Sequence, residues 1–375
     1  MRVLVIGSGI AGLSIARDLC LRGESILLID KGELAKGTTV NCAGMLHSGA
    51  RYLVSDLNVA NLCYQENQNM RKIAKHCIGK EEGLFTVLSN DTSEYSQLFE
   101  KNSELTGIPI KYINKDELQE YENNLNKNVS GGFLTADYIV DTKLLTACYI
   151  QDLKDRNVIL KNNTTINASQ YGNNKWIVNF SDGTNDSFDY VVNATGQDSD
   201  AVASIFNQKF TLEKIYGSMF KFKRNLTNRI VTRAAKNSAG DVLVPLSDGT
   251  LIGSTWSDKT KEEAEMGIDL VINTAKEFVN NIQRKDLVEI WTGVRTHEKA
   301  SNIVGSEFGN VKRDFSIISN FDTSPKFLTV LPGKLTIARY VAFLSAQIIY
   351  NNKDIEDITM NYPLPKVELS NFFKI

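Results

Sequence analysis

The opening thirty residues constrain the fold more than any other stretch. Arg2 to Ile6 reads as a short buried strand, and Gly7-Ser8-Gly9-Ile10-Ala11-Gly12 follows it at once. A helical pattern then runs through Leu13, Ile15, Ala16, Leu19 and Cys20, and a second apolar run, Ile26 to Ile29, ends in Asp30. Gly7 permits the tight turn, Gly9 lets a pyrophosphate approach the backbone, and Gly12 lets the helix pack against the sheet. The helix N-terminus offers N–H groups and partial positive charge to phosphates. Asp30 stands at the distance, roughly 20 residues on, where an acid binds ribose hydroxyls. A glycine turn alone is weak, but here the flanking strands, helix and acid agree on a dinucleotide site. The motif does not choose between NAD and FAD.

The chain has 375 residues, enough for a large core and two domains. A net charge of −2 gives no basic field for nucleic acid or an anionic membrane. An anionic substrate must therefore be met by local cations. The five cysteines, Cys20, Cys42, Cys63, Cys77 and Cys148, contain no CxxC pair. They read as small buried residues of a reducing compartment, not as a disulfide framework or a cluster site. Met1 nearly touches the first strand, so no signal peptide is expected there. The longest apolar stretch, 341–350, is too short to span a bilayer. The expectation is a cytoplasmic protein, either free or peripheral on the inner face of the cell membrane.

Downstream, helices are expected over 55–77 and 92–105 and strands over 84–88 and 108–113, with a polar surface segment over 117–128. A helix capped by Asp141 or Thr142 is expected to run to 155. Strands follow at 158–160, 165–168 and 176–180, and Phe188 to Val192 forms one more. That last strand ends in Asn193-Ala194-Thr195-Gly196, so the chain returns there to the nucleotide domain. The middle is mostly β, at 217–222, 242–244 and 251–255. A long helix is expected over 261–282 and a strand over 287–294 leading to Arg295. The segment 298–314 reads as a loop, 315–318 and 327–331 as strands, and Pro332-Gly333-Lys334 as the start of a helix to about 350. The fold class is α/β: a glutathione-reductase-type Rossmann-like domain (1–80, 151–207 and 295–362) with a discontinuous, largely antiparallel substrate domain (81–150 and 208–294). A tail occupies 363–375.

Several separated motifs together resemble the FAD-dependent glycerol-3-phosphate dehydrogenases of the D-amino-acid-oxidase superfamily. They are the first glycine turn with Asp30; Met45-Leu46-His47-Ser48-Gly49-Ala50-Arg51-Tyr52; Ala194-Thr195-Gly196; Tyr216-Gly217-Ser218-Met219; Val242-Leu243-Val244-Pro245 with Leu251-Ile252-Gly253-Ser254-Thr255; Gly293-Val294-Arg295; and Gly333-Lys334-Leu335-Thr336. Their order matches the family over residues 1 to about 350, most closely the catalytic subunit of the anaerobic type. That subunit continues into a cysteine-rich C-terminal region, which these 375 residues lack. Asp30 stands where Glu is more usual, Pro332 where Gly is frequent, Thr296 where Pro is typical, and Met219 where some members carry His.

The resemblance implies FAD, held by Gly7, Gly9, Ile10, Ala11, Gly12, Asp30, Lys31, Thr38, Thr39, His47, Ala194, Gly196, Gly333, Lys334, Leu335 and Thr336. It implies a phosphorylated alcohol as substrate, with electrons passed to a partner subunit or a membrane quinone. Oxidising glycerol 3-phosphate requires a hydride acceptor, a base and permanent cations for phosphate. Arg51, Arg295 and Lys334 are the candidate cations, since arginine binds phosphate bidentately and lysine acts as a point charge. Tyr52 is a candidate substrate contact. Lys334, at a helix start, would also favour negative charge on the reduced ring. Among three histidines His47 is favoured as base or flavin contact; His76 reads as a surface or packing residue, and His297 follows Arg295 closely enough to reach the cleft. The alternatives are a 2-hydroxyacid dehydrogenase or amine oxidase on the same scaffold, a flavin-binding subunit inactive without a partner, and a plain NAD-dependent dehydrogenase.

Overall fold

The computed structural model describes residues 1–299 and 315–372. Two sheets carry the site. The first has six strands, in the order Ser316–Ile318, Phe327–Leu331, Tyr190–Asn193, Arg2–Ile6, Ser25–Ile29 and Ile159–Lys161. All pair in parallel except Ser316–Ile318, which runs antiparallel at one edge. Near-continuous apolar runs such as Val3-Leu4-Val5-Ile6 suit strands covered on both faces. Helices Ile10–Leu21, Thr142–Asp155 and Ala338–Ile349 cover one face. A three-stranded antiparallel sheet covers the other, with Trp176, Phe206 and Phe327 packed against Leu4, Ile6, Leu27 and Ile29.

Strand Lys175–Phe180 shows the local logic. Trp176, Val178 and Phe180 face inward while Lys175, Ile177 and Asn179 alternate outward. The strand expected over 188–192 is two strands. Asn185–Phe188 belongs to the small sheet and Tyr190–Asn193 to the large one. Asp189 makes the switch, its carboxylate accepting from the Arg2 N–H at 2.7 Å.

The second sheet has eight strands and carries the other side of the site. Its order is Leu287–Glu298, Leu212–Phe222, Gly249–Gly253, Val242–Leu246, Val231–Arg233, Gly83–Leu88, Val129–Thr135 and Ile110–Asn114. All neighbours are antiparallel except Val231–Arg233 against Gly83–Leu88. The helix expected over 261–282 is broken: Lys261–Met266 and Ile268–Ala275 meet at Gly267. A Cβ at Gly267 would lie 2.5 Å from the Thr255 methyl, so the chain bends where only glycine fits. The polar segment 117–128 contains the short helix Leu118–Tyr121 and buries Leu118, Glu122 and Leu125.

Helix Thr142–Asp155 is capped by Asp141, whose side chain accepts from the Leu144 N–H at 2.9 Å. It packs on helix Ile10–Leu21, and the boundary expected at 150/151 falls inside it. The final helix starts at Ala338, four residues beyond Lys334, and Gly333 has a φ of +67°, outside helical geometry. Of the loop expected at 298–314, residues 300–314 lie outside the described residues, as do 373–375 of the tail.

Candidate active site

The carboxyl ends of the parallel strands define where a ligand sits in a sheet of this kind. Gly7, Asp30, Gly196 and Gly333 each follow such an end, and all four line a cavity of about 670 Å³. Its opposite wall comes from the eight-stranded sheet through Gly217, Met219, Ser254 and Arg295.

Three glycines of the first turn do three different things. Gly7 has φ +100°, and a Cβ there would meet the Ala194 carbonyl at 2.6 Å. At Gly12 a Cβ would lie 1.8 Å from the Gly7 carbonyl, so helix and turn approach as only glycine allows. Gly9 faces the cavity, and its nearest protein atom would be Thr39 Oγ1 at 3.4 Å. The chain itself barely crowds Gly9, so its missing side chain leaves space for a bound group. Gly9→Ala should therefore fold normally yet weaken cofactor retention by about 1–3 kcal/mol, the cost of overpacking, or about 5–150-fold. Flavin-to-protein stoichiometry after dialysis measures this.

Asp30 braces the turn. Its Oδ2 accepts from the Ser8 N–H (2.8 Å) and hydroxyl (2.6 Å), and its Oδ1 from the Gly32 N–H (3.1 Å). Thr39 Oγ1 accepts from the Ile10 N–H at 3.0 Å, and Thr38 Oγ1 accepts from the Val294 N–H at 3.3 Å, tying this loop to the second sheet. Ile10, Ala11, Lys31, Ala194 and Leu335 line the cavity as well, Lys31 paired with Asp198 at 2.7 Å. Thr336 does not line it. It is fully buried, and its Oγ1 accepts from the His47 N–H at 3.1 Å, so it positions the histidine backbone.

His47, Arg51, Tyr52, Arg295 and Lys334 all line the same cavity. His47 stands edge-on to Tyr52, with centroids 5.7 Å apart. The Lys334 ammonium lies 5.0 Å over the Tyr52 ring. Lys334 sits in the turn after strand Phe327–Leu331 and not on a helix, so no helix dipole acts through it. Arg295, within strand Leu287–Glu298, donates from Nη2 to Ser254 Oγ at 2.9 Å. A Cβ at Gly217 would lie 3.1 Å from that Nη2, so the guanidinium lies across bare backbone. His297, two residues along the same strand, also reaches the cavity wall. His76 does not; its ring is half-buried against Cys148 and Pro365.

Two carboxylates that sequence reasoning missed organise this wall. Arg51 is buried, and its Nη2 bonds both oxygens of Asp241 at 3.1 Å while Nη1 donates to Thr232 at 2.7 Å. Burial alone would lower its pKa, and more than any single neighbour raises it; the Asp241 charge and hydrogen bond, with Tyr52 and Tyr95, together push it up. Its positive charge is thus already offset, which makes it a poor candidate for holding a further anion. Asp137 is fully buried, with Oδ1 3.4 Å from His47 Nδ1. It also accepts from Ser48 Oγ at 2.5 Å and Thr135 Oγ1 at 2.7 Å. Burial alone would raise its pKa, but the His47, Ser48 and Thr135 donors hold it below the ordinary carboxylate range. It therefore contributes stability above about pH 3.9, lost as pH falls through the depressed folded value. No local signal around Ala136-Asp137-Tyr138 marks it.

A dinucleotide cradle facing a second sheet with a histidine–carboxylate pair and two cations has the layout of a dinucleotide-dependent oxidoreductase. The family model described as FAD dependent oxidoreductase matches residues 2–338, and the chain belongs to that family, with FAD as its cofactor. It is 27% identical to a subunit of the anaerobic glycerol-3-phosphate dehydrogenase of Haemophilus influenzae, over 97% of this chain and 67% of that protein. The chain spans about two thirds of the length of the curated relatives it matches. Among solved structures, it is similar to glycine oxidase from Geobacillus kaustophilus (TM-score 0.77, 17% identity, 98% and 99% of the two chains). The L-alpha-glycerophosphate oxidase of Mycoplasma pneumoniae with FAD bound is comparable (TM-score 0.76, 16% identity, 98% and 99%). At these identities both show the fold, which agrees with the sequence expectation.

Proposed function

We propose that this protein oxidises glycerol 3-phosphate to dihydroxyacetone phosphate. The observation that carries the reading is the meeting, in one cavity beside the FAD cradle, of His47 backed by Asp137 with Arg295 and Lys334. The name of the H. influenzae relative supports the same substrate. Bound FAD supplies the hydride acceptor. The residues of this chain do the rest. Arg295 and Lys334 hold the phosphate, and Tyr52 packs against Lys334 and His47 to fix their positions. With Asp137 at Nδ1, the imidazole keeps its lone pair on Nε2, the nitrogen that takes the hydroxyl proton. The residues that the resemblance assigns to FAD form the proposed cofactor contacts, Gly12 acting through the packing of helix against turn and Thr336 through His47. Segments 1–80, 151–207 and 295–362 are proposed as the FAD-binding unit and 81–150 with 208–294 as the substrate unit, with helix Thr142–Asp155 assigned whole to the first and strand Leu287–Glu298 whole to the second.

Electrons are proposed to leave to a partner protein or a quinone, in keeping with a relative whose name makes it one subunit of several. No helix among the described residues is long and apolar enough to cross a membrane. Turnover with an artificial acceptor tests the substrate: glycerol 3-phosphate should be oxidised, and glycine, proline and 2-hydroxyacids should not. Oxidation of an amino acid or 2-hydroxyacid alone would replace this reading with the corresponding one.

His47→Gln should slow flavin reduction by about 10²–10⁴-fold, the usual general-base contribution. Asp137→Asn should slow it by about 10–100-fold, a part of that same effect, and shift its pH dependence with little change in KM. Rapid-reaction reduction rates check both. A rate for Asp137→Asn equal to wild type across pH would remove the positioning role.

A further inference from the structure

On the helix-covered face of the nucleotide sheet, two chain segments bring two thiols and an imidazole to one point that the proposed reaction does not use. His76 and Cys77 lie in the turn Lys75–Cys77 after helix Leu57–Ile73, and Cys148 lies in helix Thr142–Asp155. The donor atoms of all three lie within 4.8 Å of one another. Cys77 Sγ and Cys148 Sγ are 3.8 Å apart, and His76 Nε2 is 3.2 Å from Cys148 Sγ. The Pro365 carbonyl, from the C-terminal segment, lies 3.0 Å from the same Nε2.

We propose that His76, Cys77 and Cys148 form a binding site for a soft divalent cation of the zinc type, closed on its fourth side by the Pro365 carbonyl. Zinc–sulfur bonds of about 2.3 Å in a tetrahedron set a sulfur–sulfur edge of roughly 3.8 Å. Two thiols merely in contact would have similar spacing. The other two donors decide the matter. His76 Nε2 and the Pro365 carbonyl oxygen converge on the same point as the two sulfurs, so an imidazole and a fourth donor stand where a tetrahedral ion takes them. A cation here would accept lone pairs from the imidazole, both sulfurs and the carbonyl together. Two thiolates with an imidazole select zinc over magnesium or calcium. Binding would release the two thiol protons to solvent, with no change in oxidation state. Both cysteines are buried, while half-buried His76 gives the ion a way in.

The site would act as a clamp. The C-terminal segment already rests here: the Leu364 N–H donates to the Ile73 carbonyl at 2.7 Å, and Lys154 lies 5.3 Å over the Phe372 ring. A cation would join this segment to both helices.

The test adds cobalt(II), then zinc(II), to metal-stripped, reduced full-length protein holding FAD. The expected result is stoichiometric uptake with thiolate-to-cobalt charge transfer and tetrahedral visible bands, abolished by zinc displacement. His76→Ala and Cys148→Ser should each weaken uptake by about 100-fold or more, whereas Cys63→Ser, at a buried thiol elsewhere, should leave it unchanged. Metal loading should also slow proteolysis of the C-terminal segment in the wild type. If a variant unfolds, the wild-type cobalt spectrum still decides. No thiolate charge transfer, uptake unaffected by His76→Ala, or a Cys77–Cys148 disulfide in metal-free protein as isolated would overturn the proposal.

Discussion

Arg295→Met is expected to lower kcat/KM for glycerol 3-phosphate by about 30–1,000-fold, from a loss of about 2–4 kcal/mol of charge-assisted bonding to phosphate. Methionine keeps much of the side chain's bulk and removes only the guanidinium. The fold should survive, since Arg295 is half-buried on a long strand and its hydrogen bond to Ser254 is a local one. FAD content should therefore match wild type. The variant should be far less impaired toward glycerol, which has no phosphate, so the ratio of the two rates reports the lost contact. Lysine should rescue only in part, because a point charge cannot reproduce a bidentate pair. Arg51→Met should instead act through stability, since it leaves Asp241 buried without its partner.

The second large effect lies in the core. Arg339 joins helix Ala338–Ile349 to helix Leu57–Ile73 by bonding both oxygens of Glu66, with Nε to Oε2 at 2.9 Å. It also bonds Asp357 at 2.6 Å and Thr359 at 2.8 Å. Both Arg339 and Glu66 are buried. Burial alone would lower the pKa of Arg339, but Glu66 and Asp357 push it up. Arg339→Met strands the Glu66 carboxylate and should cost about 3–5 kcal/mol. For a chain of this size that is roughly 2 °C per kcal/mol, so Tm should fall by about 6–10 °C. Replacing Glu66 with Met as well should recover most of the loss, because the uncompensated charge is then gone. Calorimetry on the two single variants and the double variant checks this. Equal Tm values for wild type and Arg339→Met would show that the pair contributes nothing.

The glycine turn and Asp30 were legible because backbone sterics fix those residue types within one continuous segment. Gly7 and Gly12 meet atoms that leave no room for a side chain. The motif carrying His47, Arg51 and Tyr52 was legible by resemblance, and the fold brings these residues into one cavity with Arg295 and Lys334. What turns those side chains was not legible. Asp241 lies 190 residues from Arg51, and Asp137 carries no local pattern. Arg339 and Glu66 stand 273 residues apart, and only the fold buries them against each other. The same limit hid the breaks. Apolar periodicity continues past Gly267, but packing against Thr255 bends the helix there. Phe188 and Tyr190 look like one strand, yet Asp189 sends them to different sheets.

The most direct test of the proposed chemistry is anaerobic titration of the purified yellow protein with glycerol 3-phosphate, following the oxidised-flavin band near about 450 nm. Stoichiometric bleaching with release of dihydroxyacetone phosphate, needing far more substrate in Arg295→Met and slowed in His47→Gln, is the predicted result. An unbleached band at saturating substrate, in protein that dithionite still reduces fully, would contradict the assignment of glycerol 3-phosphate to this site.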